Sequence, residues 1–175
     1  MKTIIAVTIL GIVMNAFGEE CVLKPGASNF DSKKYFDIPL AYVTHSQNDP
    51  ETNVCRDYQS SRRADGKPVT SFTITDRSYP TGAKVTCVNN EIKGEKGHFT
   101  SVCELPAGNK YEVKSSILAT DNESYAVLQR CGTSGPGNIL VLQTKKNGVN
   151  PAVTKYLNAN GWDITKWISR QTVRC

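Results

Sequence analysis

Polar and apolar residues alternate along most of the chain between Leu40 and Thr144. In Val69-Thr-Ser-Phe-Thr-Ile-Thr75 the period is two, which sets Thr70, Phe72 and Ile74 on one face and hydroxyl side chains on the other. The same pattern predicts strands at Ala41–His45, Val54–Gln59, Lys84–Val88, His98–Glu104, Lys110–Ala119, Ser124–Cys131 and Asn138–Thr144. Turn formers stand between them, among them Asp65-Gly66, Tyr79–Gly82, Lys93–Gly97, Pro106–Asn109, Asp121-Asn122 and Gly132–Asn138. Connections this short imply antiparallel neighbours in a meander, because a parallel crossover needs a dozen residues or more. After the last strand the period changes. Asn150 caps and Pro151 opens a segment with Val153, Tyr156 and Leu157 at helical spacing, stopped by Gly161. Asp163 then caps a second turn carrying Ile164, Trp167 and Ile168. An apolar stripe at that spacing is the packed face of a helix lying on a sheet. The elements together predict an all-β fold, an eight-stranded antiparallel up-and-down barrel with short C-terminal helices. Its interior is wide enough for one small ligand. A β-sandwich is the runner-up.

Composition narrows this to one folded, exported unit. A chain of 175 residues, 39% hydrophobic and 21% charged, is ordinary for a single globular domain and excludes disorder, collagen-like repeats and coiled coil. Lys2 precedes an apolar run from Ile4 to Val13, and Ala16 and Gly18 occupy the small-residue positions before a cleavage point. Residues 1–18 therefore read as a secretory signal peptide and 19–175 as the domain. The run is short of the roughly 20 residues that cross a bilayer, so the expectation is a soluble extracellular protein with no membrane partner. Without Lys2 the segment 19–175 has 20 basic and 16 acidic side chains, a formal charge of +4. The charges are interspersed, which argues against nucleic acid as a partner, and a monomer is expected.

Six cysteines, Cys21, Cys55, Cys87, Cys103, Cys131 and Cys175, all fall in 19–175. An even number in an oxidising compartment favours three disulfides, with fifteen connectivities open. Cys87 and Cys103 flank a turn-rich connection between adjacent strands and should pair. No close Cys-x-x-Cys exists, so no metal is expected. Catalytic elements are poorly supplied: there are two histidines, His45 and His98, no His-Glu-x-x-His, and Pro136 stands where a nucleophile elbow over Cys131–Gly137 needs glycine. No catalytic residue, and no enzyme, is expected. Asn122-Glu-Ser124 is an N-glycosylation sequon in a turn, with an unused turn as the alternative.

The stretch Tyr35-Phe-Asp-Ile-Pro-Leu-Ala-Tyr-Val-Thr-His45 resembles the first-strand motif of the salivary lipocalins of blood-feeding triatomine bugs, the triabin and nitrophorin group. Three later stretches add to it. Thr120–Cys131 looks like that family's penultimate strand ending in cysteine, Ile139–Leu142 like its last strand, and Thr165–Ser169 like the terminal segment before a final cysteine. The resemblance implies a lipocalin barrel, disulfides Cys21–Cys131 and Cys55–Cys175, and delivery in saliva. It also implies sequestration of a small host mediator of platelet aggregation, vessel tone or inflammation. Triabin-like members instead inhibit a clotting protease through the outer surface, so a host protease is the alternative partner.

Departures from the motif alter what is expected. The family's glycine is Ile38 here and its tryptophan is Ala41, while the arginine that packs over that tryptophan falls on Thr144. The closed end must be sealed otherwise, by Tyr35, Phe36 and the adjacent helix. The haem-carrying members' strand histidine falls on Ile74, so neither haem nor any other cofactor is expected. With Ala41 facing inward, Val43 and His45 should share its face; with Cys55 facing outward, Arg56 and Tyr58 should face inward. An inward arginine in an apolar cup calls for an anion. The expected ligand is therefore acidic, an adenine nucleotide or an eicosanoid, contacted by Arg56, Tyr58, Phe72, Ile74, His45 and Val43. A register one residue different would leave Arg56 in solvent.

Overall fold

The computed structural model describes residues 21–48, 51–133, 135–173 and 175. The signal peptide expected over 1–18 lies outside the described residues. A short helix α1 (Ser32–Phe36) leads into β1 (Leu40–Ser46), β2 (Asp57–Arg62), β3 (Pro68–Ile74), β4 (Ala83–Glu91) and β5 (His98–Glu104). There follow β6 (Lys110–Thr120), β7 (Tyr125–Cys131), β8 (Asn138–Gln143), helix α2 (Pro151–Ala159) and a two-residue strand β9 (Ile168–Ser169). Each strand pairs antiparallel with the next, and β1 closes the circuit by pairing β8 on one edge and β2 on the other. This is the eight-stranded barrel that the alternation predicts.

Two apolar layers hold it together. Leu128, Leu140, Leu142 and Val43 stand opposite one another across β7, β8 and β1 and face the interior. The alternate residues Val127, Ile139 and Val141 face outward and are covered by Val153 and Leu157 of α2 and by Trp167. Strands β7 and β8 are thus buried on both faces, which explains the unbroken apolar run Ile139–Leu142. Asn150 accepts from the Ala152 amide and Pro151 fills the first helical position, as the capping pattern predicts.

At the end where α1 enters, four rings form the floor. Phe30, Tyr35, Phe36 and Phe99 follow one another at centroid separations of 5.4, 5.0 and 5.6 Å, and Phe36 is 3% exposed. Ala41 and Thr144, at the positions of the missing tryptophan and arginine, line the barrel cavity beside Tyr35 and Phe36 of this cluster. The disulfides are Cys21–Cys131, Cys55–Cys175 and Cys87–Cys103. The last joins directly opposed residues of β4 and β5, and both sulfurs lie on the inner wall.

Two predicted elements differ. Residues Glu51–Cys55 form a 3₁₀ turn, so β2 begins only at Asp57; Val54 is fully buried in that turn, beside the disulfide at Cys55. Ile168 does not continue a helix. The turn capped by Asp163 ends at Lys166, and Ile168–Ser169 pair with His45 and Ser46 at the far end of β1, beyond the stretch that β2 occupies.

Candidate functional site

A cavity opens inside the barrel, with about 700 Å³ of space free of protein atoms when the open solvent at its mouth is counted. Tyr35 and Phe36 lie at its floor, Tyr58 and Phe72 on the wall, and Arg130 near the mouth. The strand sequence decides which side chains enter. Outward Asp57 sets Tyr58 inward, and outward Cys131, bonded to Cys21, sets Arg130 and Leu128 inward.

Two guanidiniums meet at one aromatic ring. The Cζ atoms of Arg56 and Arg130 lie 5.3 and 5.8 Å from the centroid of Phe72, and Tyr58 packs edge-on to that ring at 4.8 Å. Arg130 Nη1 donates to Tyr58 Oη at 2.8 Å. Burial pushes the Tyr111 phenol up, and the charges of Arg130 and Arg56 oppose that rise. Among the described residues neither arginine has a carboxylate partner. The adjacent Asp57 points out of the barrel, where Arg170 Nη1 holds it at 2.7 Å. The described cavity lining contains no Asp or Glu. Cation–π contacts of this kind contribute about 0.5–2 kcal/mol each, too little to offset burying two like charges, so the arrangement favours an anion.

Of the residues expected at the site, Tyr58 and Phe72 line the cavity; half-buried Arg56 brings its guanidinium to Phe72, while buried Val43 and half-buried Ile74 pack in the core without lining it. His45 is not among them. Val43 opposes Leu142 but His45 opposes Val141, so Thr44 is an extra residue in β1 and every later side chain changes face. His45 therefore lies outside the cavity against the β9 segment, its Nδ1 3.2 Å from Thr44 Oγ1, and burial lowers its pKa. His98 sits at the closed end between Glu95 Oε2 and the Lys24 carbonyl oxygen. Arg130 and Tyr111 are the residues that sequence reasoning passed over. The alternation argument that turned Arg56 inward from Cys55 turns Arg130 inward from Cys131.

Asn122 of the sequon adopts φ 61° in the β6–β7 turn. Its Nδ2 donates to the Asn29 carbonyl and its Oδ1 accepts from the Asp31 amide, both at 2.8 Å, so the carboxamide ties that turn to the segment before α1.

Comparison with known proteins gives the same architecture. The family model described as Triabin matches residues 14–156. "Platelet inhibitor triplatin-2" of Triatoma infestans is 59% identical over 180 residues, covering 100% of both chains. Among solved structures, LTBP1 in complex with leukotriene C4 superposes with a TM-score of 0.64 at 22% identity, over 78% of this chain and 84% of the other. The tryptamine complex of the amine-binding protein of Rhodnius prolixus gives 0.71 at 18% identity, over 88% and 87%. At these identities the two structures speak for the fold alone.

Proposed function

The chain belongs to the triabin family, and from that membership we propose that it is a secreted salivary carrier that sequesters a small acidic host mediator inside the barrel. The observation that carries the reading is the pair of guanidiniums, Arg56 and Arg130, gathered at Phe72 with no carboxylate between them. A guanidinium presents a planar fork of donors that matches a carboxylate or phosphate, and an anion held by two of them restores neutrality in a half-buried site. Tyr58, already accepting from Arg130, has its own hydrogen left to donate to the same anion.

The function is binding and not catalysis: it removes the mediator from its receptor by mass action. The relative named a platelet inhibitor supports platelet aggregation as the process affected. The two structural neighbours bind ligands of opposite character, a leukotriene and an amine. The chemistry of this cavity favours the former, because an amine would meet two cations and no described acid. An adenine nucleotide fits the same head-group chemistry, with its base against the aromatic floor. Calorimetric titration with leukotriene C4, a prostanoid acid, ADP and serotonin tests the reading. The expected result is saturable binding of at least one acid and none of serotonin. Serotonin as the tightest ligand, or delayed clotting with no small molecule bound, would overturn it.

A further inference from the structure

The outside of the barrel carries an apolar row that no described residue covers. Val69, Val88 and Val102 stand directly opposite one another across β3, β4 and β5, on the face away from the cavity. Val102 is 39% exposed, and Val69 and Val88 are half-buried. A solvated face of an antiparallel sheet is ordinarily polar, so three outward valines in one row depart from the pattern. Outward Val127, Ile139 and Val141, by contrast, lie beneath α2 and Trp167.

The row forms the bottom of a trough with cations at both ends. Arg63 of the β2–β3 hairpin stands at one end, Lys84 and Lys110 stand at the other, and Leu105 and Pro106 form one side. The register fixes the spacing. Ser61 opposes Val69, so Arg63 lies two residues beyond the row toward the closed end, whereas Lys84 lies four residues from Val88 toward the mouth. At about 3.3 Å per residue the two cations are roughly 20 Å apart along the strand direction, with the valines between them. Asp65 lies 3.7 Å from Arg63 and Glu104 3.7 Å from Lys110, exposed pairs that contribute little in water. Lys84 has no acidic partner among the described residues. Three cations against the single carboxylate of Glu104 leave the trough positive.

We propose that this trough is a docking surface for an extended acidic segment of a partner protein, a function separate from that of the cavity. Alternate side chains of an extended chain point the same way, so two acids six residues apart span about 20 Å and meet Arg63 and Lys84. The side chains two and four residues after the first acid then lie on the valine row. The recognised pattern is acid, apolar, apolar, acid at alternate positions. Burial of the valines supplies the attraction, and the cations set the register and reject basic segments. A trough with raised rims fits one strand of polypeptide; a flat bilayer would rest on the rims and leave the valines in water.

Amide NMR spectra of the isotope-labelled protein, titrated at low ionic strength with the end-capped peptide Glu-Ser-Val-Ser-Val-Ser-Glu, test the proposal. Saturable shifts are expected at Val69, Val88 and Val102 and their neighbours, and none with lysine in place of both glutamates. Lys84→Glu exchanges an attraction for a repulsion and should weaken the acidic peptide about tenfold while admitting the lysine peptide. Val102→Asp should abolish the shifts. Both side chains are exposed, and an otherwise unchanged spectrum confirms that each variant keeps the fold. No response to the acidic peptide, an equal response to the lysine peptide, or shifts indifferent to Lys84→Glu would overturn the proposal. Co-sedimentation with vesicles of phosphatidylcholine and phosphatidylserine that Val102→Asp abolishes, with no response to the peptide, would assign the trough to a lipid surface and overturn it too. None of these outcomes bears on the cavity, whose ligand the calorimetry above tests.

Discussion

Replacing Arg130 by alanine should hardly change the stability of the free protein and should weaken the complex. In the free protein it removes a cation that shares the surroundings of Phe72 with Arg56, and no described carboxylate loses a partner. The losses are a cation–π contact of about 0.5–2 kcal/mol and the charged bond to Tyr58 Oη. The gains are relief of like-charge repulsion and of guanidinium desolvation, of comparable size. Thermal stability should therefore change by less than about 1.5 kcal/mol. In the complex the same substitution removes a charge-assisted hydrogen bond to the ligand's anion, worth about 1.5–3 kcal/mol, or roughly ten- to hundredfold in affinity. Arg56→Ala should behave alike. If both arginines clasp one anion, the double variant should depart from additivity by about 0.5–3 kcal/mol. Calorimetry with leukotriene C4 and ADP, paired with thermal melts of each free variant, reads both effects. Unchanged affinity in Arg130→Ala would refute the reasoning, as would a stability loss above about 3 kcal/mol, which would make the guanidinium a structural group.

Other expectations follow from the frame around the cavity. Removing the Cys55–Cys175 disulfide by paired serine substitutions frees a loop with a sequence separation of 120 residues and should cost about 4–5 kcal/mol in urea denaturation; a loss below about 1 kcal/mol would refute it. Phe36→Ala opens the aromatic floor and should cost about 3–5 kcal/mol, with ANS fluorescence rising as the closed end is breached. Buried His45 has a lowered pKa and stays neutral in the fold, whereas unfolded it titrates near 6.5. The unfolded chain thus binds the proton first, and stability present above about pH 6.5 declines as pH falls toward the depressed folded value. His45→Gln should flatten that decline in melts recorded across pH, and an unaltered slope would refute it. Asn122→Ala removes two bonds to residues 29–31 and should cost about 2 kcal/mol, read by the same denaturation.

The barrel was legible because its signal is local. Alternation in β3 and the short turns between strands are properties of a few neighbouring residues, and the cap at Asn150 is written in two. Alternation from Cys131, inside β7, turns Arg130 inward, whereas the same argument from Cys55 to Arg56 starts in a 3₁₀ turn where no alternation runs. His45 was misassigned because a β-bulge is a backbone event: nothing in Val43-Thr-His45 marks Thr44 as the inserted residue, yet one insertion reverses all that follows. The 3₁₀ turn over Glu51–Cys55 was hidden for another reason. Its bond partner, Cys175, lies at the opposite end of the sequence, so no window around Val54 contains the constraint. The row Thr70, Asn89 and Ser101, hydrogen-bonded across β3, β4 and β5, is invisible in the sequence because the pairing of those strands must be known before the three fall together.

Arg56 and Asp57 are adjacent in sequence and lie on opposite sides of a wall one strand thick. Sliding β2 by a single residue would exchange them, bringing a carboxylate into the cup and sending the cation to solvent. The charge preference of such a container is therefore a matter of phase, not of composition. Here the phase is locked from behind, since Arg170 grips Asp57 Oδ1 at 2.7 Å and also donates to the Arg56 carbonyl at 3.4 Å. A gain or loss of one residue in the turn before β2 would thus turn two guanidiniums at Phe72 into one guanidinium, Arg130, facing one carboxylate, provided the residue behind the wall changes with it.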